Sequence, residues 1–159
     1  MSYDIAQVCP NGHVANSSYQ EFPEYNREFC EHCGEKTITH CPNCNNPILG
    51  YPRDIVAIGY KYRPPAYCHR CGHAFPWTER KIQAAVELSA EEAHLNDEDR
   101  AILEQSINDI VKDSPKTQLA ASRFKKAMTK AGTATAGAVK DILVDIVSET
   151  AKKIIWPSG

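Results

Sequence analysis

The stretch CPNGHVANSSYQEFPEYNREFCEHCG, residues 9–34, contains three cysteines, and residues 35–71 supply four more. Six of the seven form Cys-x-x-Cys pairs: Cys30/Cys33, Cys41/Cys44 and Cys68/Cys71. This spacing suits a tight turn, here called a knuckle, in which both thiolates point at one metal ion. Two of the pairs are followed by glycine, which favours such a turn. The cysteines therefore predict that metal binding organises the first half of the chain.

The ligand count depends on one histidine. Cys9 has no partner at the Cys-x-x-Cys spacing, but His13 follows it by four residues in CPNGH. Seven cysteines and one histidine give eight ligands, enough for two tetrahedral sites. The rival histidines lie inside knuckles (His32, His69) or beside them (His40, His73). Spacing favours His13.

Four ligand pairs can share two metals in three ways. Sequential pairing gives one mixed site and one all-thiolate site, formed respectively by Cys9, His13, Cys30 and Cys33, and by Cys41, Cys44, Cys68 and Cys71. A crossed arrangement would join the first pair to the third and the second to the fourth. A nested arrangement would join the second pair to the third across a loop of seven residues, which is tight for a hairpin. The loop lengths favour sequential pairing.

Zinc is the metal expected at both sites, so two Zn²⁺ ions per chain are predicted. Thiolate-rich tetrahedral sites usually hold zinc, although an iron centre of the rubredoxin type could use the same four thiolates. Four protein ligands leave no open coordination position, which indicates structural rather than catalytic ions. Metal binding would then supply folding free energy to a half-chain too small for a large core.

The sequence predicts an α+β protein with three segments. Residues 1–78 form a tandem zinc-ribbon module of short antiparallel strands, with the best strand candidate at Arg53–Tyr62. Residues 79–113 form an acidic helical segment of net charge −6, and residues 114–159 a basic, amphipathic helical segment of net charge +5.

Capping patterns predict the helix boundaries within these segments. A break is expected near Leu88–Ser89, because Ser89 and Glu92 have the spacing of a capping box, and Asn96 offers another helix start. The run AVKDILVDIVSETAKKIIW, residues 138–156, predicts a C-terminal helix with one apolar face. That face needs a cover, which could be the preceding helix, a second copy of the chain or a membrane surface.

Composition favours a cytoplasmic protein. The N-terminus shows no signal-peptide pattern, no apolar run is long enough to span a bilayer, and seven cysteines in a leaderless chain favour metal binding over disulfides. Catalysis has little support, because no phosphate-binding loop or nucleophile motif occurs and all the cysteines are assigned to metal. No enzyme activity and no small-molecule substrate are therefore expected.

One basic and aromatic stretch suggests a nucleic-acid alternative. Lys61, Arg63 and Arg70 alternate with aromatic side chains, an arrangement that can neutralise phosphates and stack on bases. The aromatic side chains of this stretch are Tyr60, Tyr62, Tyr67, Phe75 and Trp77. Packing of these rings within the fold is the stronger interpretation, because the N-terminal domain, residues 1–78, is not net basic.

Three stretches carry a family resemblance: CPNGHVAN (9–16), FCEHCGEKTITHCPNCNNPILG (29–50) and PPAYCHRCGHAFPWTE (64–79). Together with the acidic and basic helical segments, they resemble the DUF2321 group of bacterial zinc-ribbon proteins over nearly the whole chain. The resemblance implies a bacterial cytoplasmic protein with zinc ribbons and implies no activity.

The function expected from the sequence is that of a non-enzymatic adaptor. Two structural zinc sites would hold a binding surface, and the helical tail would dock on a protein partner or self-associate. Nucleic-acid binding, and membrane association through the C-terminal helix, are the alternatives.

Overall fold

The computed structural model describes residues 2–54 and 58–157, and the chain divides into two units. The N-terminal unit is Met1–Arg80 and the C-terminal unit is Lys81–Gly159. The acidic segment from Lys81 onward and the basic segment lie in the same unit. Short antiparallel strands come first and helices follow, so the chain has the α+β organisation expected from its sequence.

The strands of the N-terminal unit are short and form two separate ribbons. Strand β1 (Tyr3–Ile5) pairs antiparallel with β4 (Leu49–Pro52), and β2 (Gln7–Val8) pairs antiparallel with β3 (Val14–Asn16). A short 3₁₀ turn at Pro23–Tyr25 follows β3. Strands of two to four residues bury little apolar surface, so other interactions must stabilise this unit.

The strand predicted at Arg53–Tyr62 is wrong in the residues that the structure describes. Strand β4 ends at Pro52, residues 53–54 and 58–59 form turns, and residues 60–62 have no regular secondary structure. Residues 55–57 of that prediction lie outside the described residues. The actual strand precedes the β-branched run, because Leu49–Pro52 is the part that pairs with β1.

One buried carboxylate fixes the loop after β3 onto β1. Asp4 is almost fully buried and accepts hydrogen bonds from the backbone N–H groups of Ile5 (2.6 Å), Gln20 (2.9 Å) and Glu21 (3.0 Å). Arg53 lies 3.6 Å from the same carboxylate. Burial alone would raise the pKa of Asp4, but the three amides and the Arg53 charge outweigh it and lower that pKa.

Five helices follow within the described residues: α1 (Pro76–Glu92), α2 (Asp97–Val111), α3 (Thr117–Ala131), α4 (Thr133–Leu143) and α5 (Glu149–Ile155). Proline occupies the first position of α1, where its missing N–H costs no hydrogen bond. Asn96 caps α2 as expected, because its side-chain oxygen accepts from the Asp99 N–H at 2.8 Å. The acidic residues of its first turn complement the helix dipole.

Two expected helix boundaries differ from the structure. No break occurs at Leu88–Ser89, since α1 continues to Glu92 and places Ser89 inside the helix, where it is buried. The predicted C-terminal helix over 138–156 is instead two helices. Ser148 divides it, because its side chain caps α5 by accepting from the Ala151 N–H and its own N–H donates to the Ile110 carbonyl.

Helix α3 is central to the C-terminal unit and packs against α2, α4 and α5. The apolar side chains of α4, α5 and the turn between them are buried; they are Val139, Leu143, Ile146, Val147, Ala151 and Ile155. Helices of the same unit therefore cover the apolar face predicted from the sequence. Across residues 2–54 and 58–157, none of the helices has the length and apolar character needed to cross a membrane.

Candidate metal centres

The first centre brings together Cys9, His13, Cys30 and Cys33, whose ligand atoms all lie within 4.8 Å of one another. Cys9 precedes a turn closed by two hydrogen bonds, from Gly12 N–H to the Cys9 carbonyl and from Cys9 N–H to the His13 carbonyl. This turn places the His13 ring beside two sulfurs. Its Nδ1 lies 3.4 Å from Cys9 Sγ and 3.5 Å from Cys30 Sγ.

The second centre consists of Cys41, Cys44, Cys68 and Cys71, again with all ligand atoms within 4.8 Å. Sulfur separations across the two knuckles are 3.8 Å for Cys41–Cys71 and 3.7 Å for Cys44–Cys68. In the first centre, Cys33 and Cys9 are also 3.7 Å apart. The grouping is that of sequential pairing, and neither the crossed nor the nested arrangement occurs.

These separations fit a tetrahedral zinc ion. A Zn–S bond of about 2.3 Å at the tetrahedral angle places two sulfurs about 3.8 Å apart. A Zn–N bond of about 2.0–2.1 Å places nitrogen and sulfur about 3.5 Å apart on the same basis. The sulfur–sulfur distances of 3.7–3.8 Å and the nitrogen–sulfur distances of 3.4–3.5 Å agree with these values. Both groups therefore have donor types and spacing suited to metal.

The three knuckles share one backbone geometry. In each, the first cysteine accepts a 2.8 Å hydrogen bond at its carbonyl from the residue after the second cysteine: Gly34, Asn45 and Gly72. These three residues have positive φ angles of 77°, 63° and 77°. Asparagine tolerates this region better than most residues with a side chain, so Asn45 takes the place that glycine has in the other two.

Two asparagines beside the centres were not identified from the sequence. The Asn11 side chain hydrogen-bonds the Cys33 sulfur, and the Asn43 side chain hydrogen-bonds the Cys71 sulfur. The pKa of Cys33 is lowered to about 6, mainly by the Glu35 backbone N–H and then by Asn11. Both asparagines occur in Cys-Pro-Asn, at 9–11 and 41–43, and this recurrence was the available signal.

The Asn43 contact has the corresponding effect in the second centre. The pKa of Cys71 is lowered to about 6, mainly by Asn43 and then by the His73 backbone N–H. Burial, in contrast, raises the pKa of Cys9 to about 11. Asn11 also accepts a 2.9 Å hydrogen bond from Arg80, whose guanidinium pairs with Glu35. These contacts hold the side chains of Cys33 and Cys71 in place and stabilise their thiolate forms.

The rival histidines contribute no ligand atom to either group. The His32 ring lies 5.2 Å from the His13 ring, centroid to centroid, and the Nδ1 of His40 is 2.8 Å from the Thr39 hydroxyl. His69 and His73 are exposed. Within the described residues, His13 alone among the histidines belongs to a metal-ligand group.

The candidate nucleic-acid residues Lys61, Arg63 and Arg70 are all exposed. The aromatic rings around them are mostly used for packing. Phe75 and Trp77 are buried and stacked with centroids 4.6 Å apart, and the Tyr62 hydroxyl donates to the Leu49 carbonyl. Tyr60 is the exposed ring of the five, and the structure thus leaves one exposed aromatic among three exposed cations.

Comparison with known protein families gives a match over most of the chain. A family described as "Uncharacterized protein conserved in bacteria (DUF2321)" matches residues 2–155. No curated protein and no solved structure matches the chain.

Proposed function

Because this chain belongs to the bacterial DUF2321 family, whose description assigns no activity, we propose a function from its own residues. The chain is a non-enzymatic adaptor in which two structural zinc ions hold an N-terminal module that binds a partner protein. The observation that supports this proposal is the grouping of eight cysteine and histidine ligands into two four-ligand sets.

A structural role for the ions follows from the ligand sets and from the strands around them. A tetrahedral ion with four protein ligands has no position left for water or substrate. The strands of the N-terminal unit are only two to four residues long. Metal binding of this kind supplies free energy that such small ribbons lack. In this proposal, zinc removal unfolds the N-terminal unit rather than abolishing a reaction.

Exposed aromatic side chains offer a surface for the partner. Phe22 is 44% exposed and Tyr25 is 58% exposed, and their rings meet edge to face with centroids 6.5 Å apart. Phe22 also lines a groove of about 450 Å³ together with Tyr51 and Arg53. Aromatic and arginine side chains are enriched in the centres of protein interfaces. The Phe22–Tyr25 patch is therefore the proposed contact.

The C-terminal helices provide a second contact in the same proposal, either docking on a partner or joining two copies of the chain. Their large apolar side chains are mostly buried, but Leu119 on α3 is 55% exposed. Burial of the α4 and α5 apolar residues removes most of the surface that lipid would bind, which favours a protein contact over membrane association. Liposome flotation and light scattering of the purified chain distinguish these outcomes.

The proposal is tested by metal content and co-purification together. The full tagged chain should contain two zinc ions and retain a specific protein partner. The variant Phe22→Ser/Tyr25→Ser should lose that partner and keep both ions, because neither side chain is a ligand. Ile58→Ser is the matched control for removal of an exposed apolar side chain elsewhere. Fewer than two ions, or a partner retained by the double variant, contradicts the proposal.

Nucleic-acid binding is the second candidate, and the exposure of Tyr60 beside Lys61 and Arg63 supports it. It requires an affinity for single-stranded oligonucleotides that falls steeply with salt. The double variant Lys61→Ala/Arg63→Ala should then weaken binding. Equal affinity in this variant and the parent chain, or none in either, counts against this function.

A further inference from the structure

A pocket of about 200 Å³ opens in the C-terminal unit, between the end of α1, the first half of α2 and the second half of α3. Much of its lining is apolar and includes Leu95, Ile102, Leu103, Ala127 and Met128. A dry cavity of about 150 Å³ is enough for one benzene molecule in another protein. The pocket can therefore take an apolar body the size of one ring or of a short alkyl chain.

Ser89, one of the lining residues, carries an unpaired hydroxyl. It is 1% exposed and lies inside α1, where a serine usually donates to the carbonyl four residues earlier. Its Oγ nevertheless has no hydrogen-bond partner among residues 2–54 and 58–157. Ser106, also buried in the pocket lining, donates to the Ile102 carbonyl at 2.9 Å. Ser89 thus keeps a hydrogen-bonding capacity that Ser106 has already used.

The charged lining is mostly positive. Arg123, Lys126 and Lys130 line the pocket from one face of α3, and Asp99 is the carboxylate among the lining residues. No ion pair joins these three cations to a carboxylate in the part of the chain that the structure describes. An anionic group at this edge of the pocket would meet an excess of positive charge.

We propose that this pocket binds a small monocarboxylate with an apolar body. The apolar lining holds the body, the cations of α3 balance the carboxylate, and the Ser89 hydroxyl donates to a ligand oxygen. The three features together select this class, since a neutral hydrocarbon would leave Ser89 unpaired and a cation would be repelled by α3. The proposal does not depend on the adaptor function and departs from the sequence-based expectation of no small-molecule ligand.

The test is a titration of the full, zinc-loaded chain with octanoate, in which binding is monitored by heteronuclear NMR. Octanoate should bind at one saturable site, with the largest shifts at residues of the lining, and its affinity should fall as salt rises. Acetate, which lacks the apolar body, and octylammonium, which reverses the charge, should each bind at least about tenfold more weakly. No saturable octanoate binding, or equal binding of octylammonium, overturns the proposal.

Variants locate the site. Ser89→Ala should weaken octanoate binding about tenfold, which corresponds to one charge-assisted hydrogen bond, and should leave thermal stability unchanged or higher. Ser106→Ala is its matched control and should bind nearly as well as the parent. Ala127→Leu should block the pocket, whereas Lys153→Ala, an exposed lysine on α5, should have no effect. Unchanged affinity in both Ser89→Ala and Ala127→Leu excludes this pocket as the site.

Discussion

Replacing Gly50 with alanine should disrupt the pairing of β1 with β4, because the fold has no room for a side chain there. A Cβ on Gly50 would lie 2.7 Å from the Ile5 carbonyl carbon, 2.8 Å from the Asp4 carbonyl oxygen, and closer still to the Ser17 carbonyl oxygen. Ordinary contact begins near 3.4 Å, so the backbone must move by more than half an ångström. Overpacking typically costs about 1–3 kcal/mol, and rigid backbone neighbours place Gly50 near the upper value.

The measurement is urea unfolding of the zinc-loaded chain in a Trp156→Phe background, where fluorescence reports the buried Trp77 of the N-terminal unit. Gly50→Ala should lower the free energy of unfolding by about 3 kcal/mol. Gly137→Ala is the matched control. Gly137 lies in α4 with no atom near its Cβ position, so alanine should stabilise that helix by about 0.5–1 kcal/mol. Unfolding of this variant is monitored by circular dichroism. A Gly50→Ala variant within about 0.5 kcal/mol of the parent would refute this reasoning.

Three further predictions concern the metal centres and Asp4. His13→Ala should reduce the metal content from two ions to one, whereas His32→Ala should keep two, as measured by native mass spectrometry. Equal metal loss in both variants would remove His13 from the ligand set. Asn43→Ala should weaken metal retention at the second centre about tenfold in a chelator competition, because the Cys71 thiolate loses a hydrogen bond, and an unchanged affinity would show that this contact is unimportant. Asp4→Asn should lower the free energy of unfolding by about 2 kcal/mol. Since the pKa of Asp4 is lowered in the folded chain, its contribution to stability is complete above the ordinary aspartate pKa and is lost as pH falls through the folded pKa. The Asp4→Asn variant should lack this acid-dependent loss of stability. An identical dependence of stability on pH in the variant and the parent would contradict the assignment.

The metal ligands could be predicted from the sequence because their chemistry restricts their spacing. A Cys-x-x-Cys pair can adopt few backbone conformations that direct both sulfurs to one point, and all three pairs here adopt the same one. The cap of α2 was predictable for a similar reason, since Asn96 accepts from a first-turn amide and its acidic neighbours complement the helix dipole. Local hydrogen-bonding geometry leaves a clear signature in sequence.

Features that depend on distant contacts left no such signature. The β-branched run after Arg53 has strand composition, yet the described strand ends at Pro52. Its partner β1 lies 44 residues or more away along the chain and sets the register. Ser89 matches a capping box, yet α1 continues through it. Burial in the C-terminal unit overrides the local preference of that serine for a helix start.

The division of one expected C-terminal helix into α4 and α5 has the same origin. The apolar periodicity continues through residues 144–148, so the sequence pattern alone predicts no interruption. Ser148 N–H donates to the Ile110 carbonyl on α2, a contact across more than thirty residues. This contact holds the chain against α2 at Ser148, and the Ser148 side chain then caps the first turn of α5.

The two centres follow one plan, and this explains both the pairing and the single histidine. Each centre combines a Cys-Pro-Asn turn with a downstream Cys-x-x-Cys-Gly knuckle, and each asparagine contacts the last cysteine of its own centre. In the second centre Cys44 follows the asparagine directly. In the first, Gly12 adds a residue with a φ of 93°, and His13 takes the ligand position. Two successive copies of such a plan each form their own four-ligand group, so sequential pairing follows from the order of the motifs along the chain.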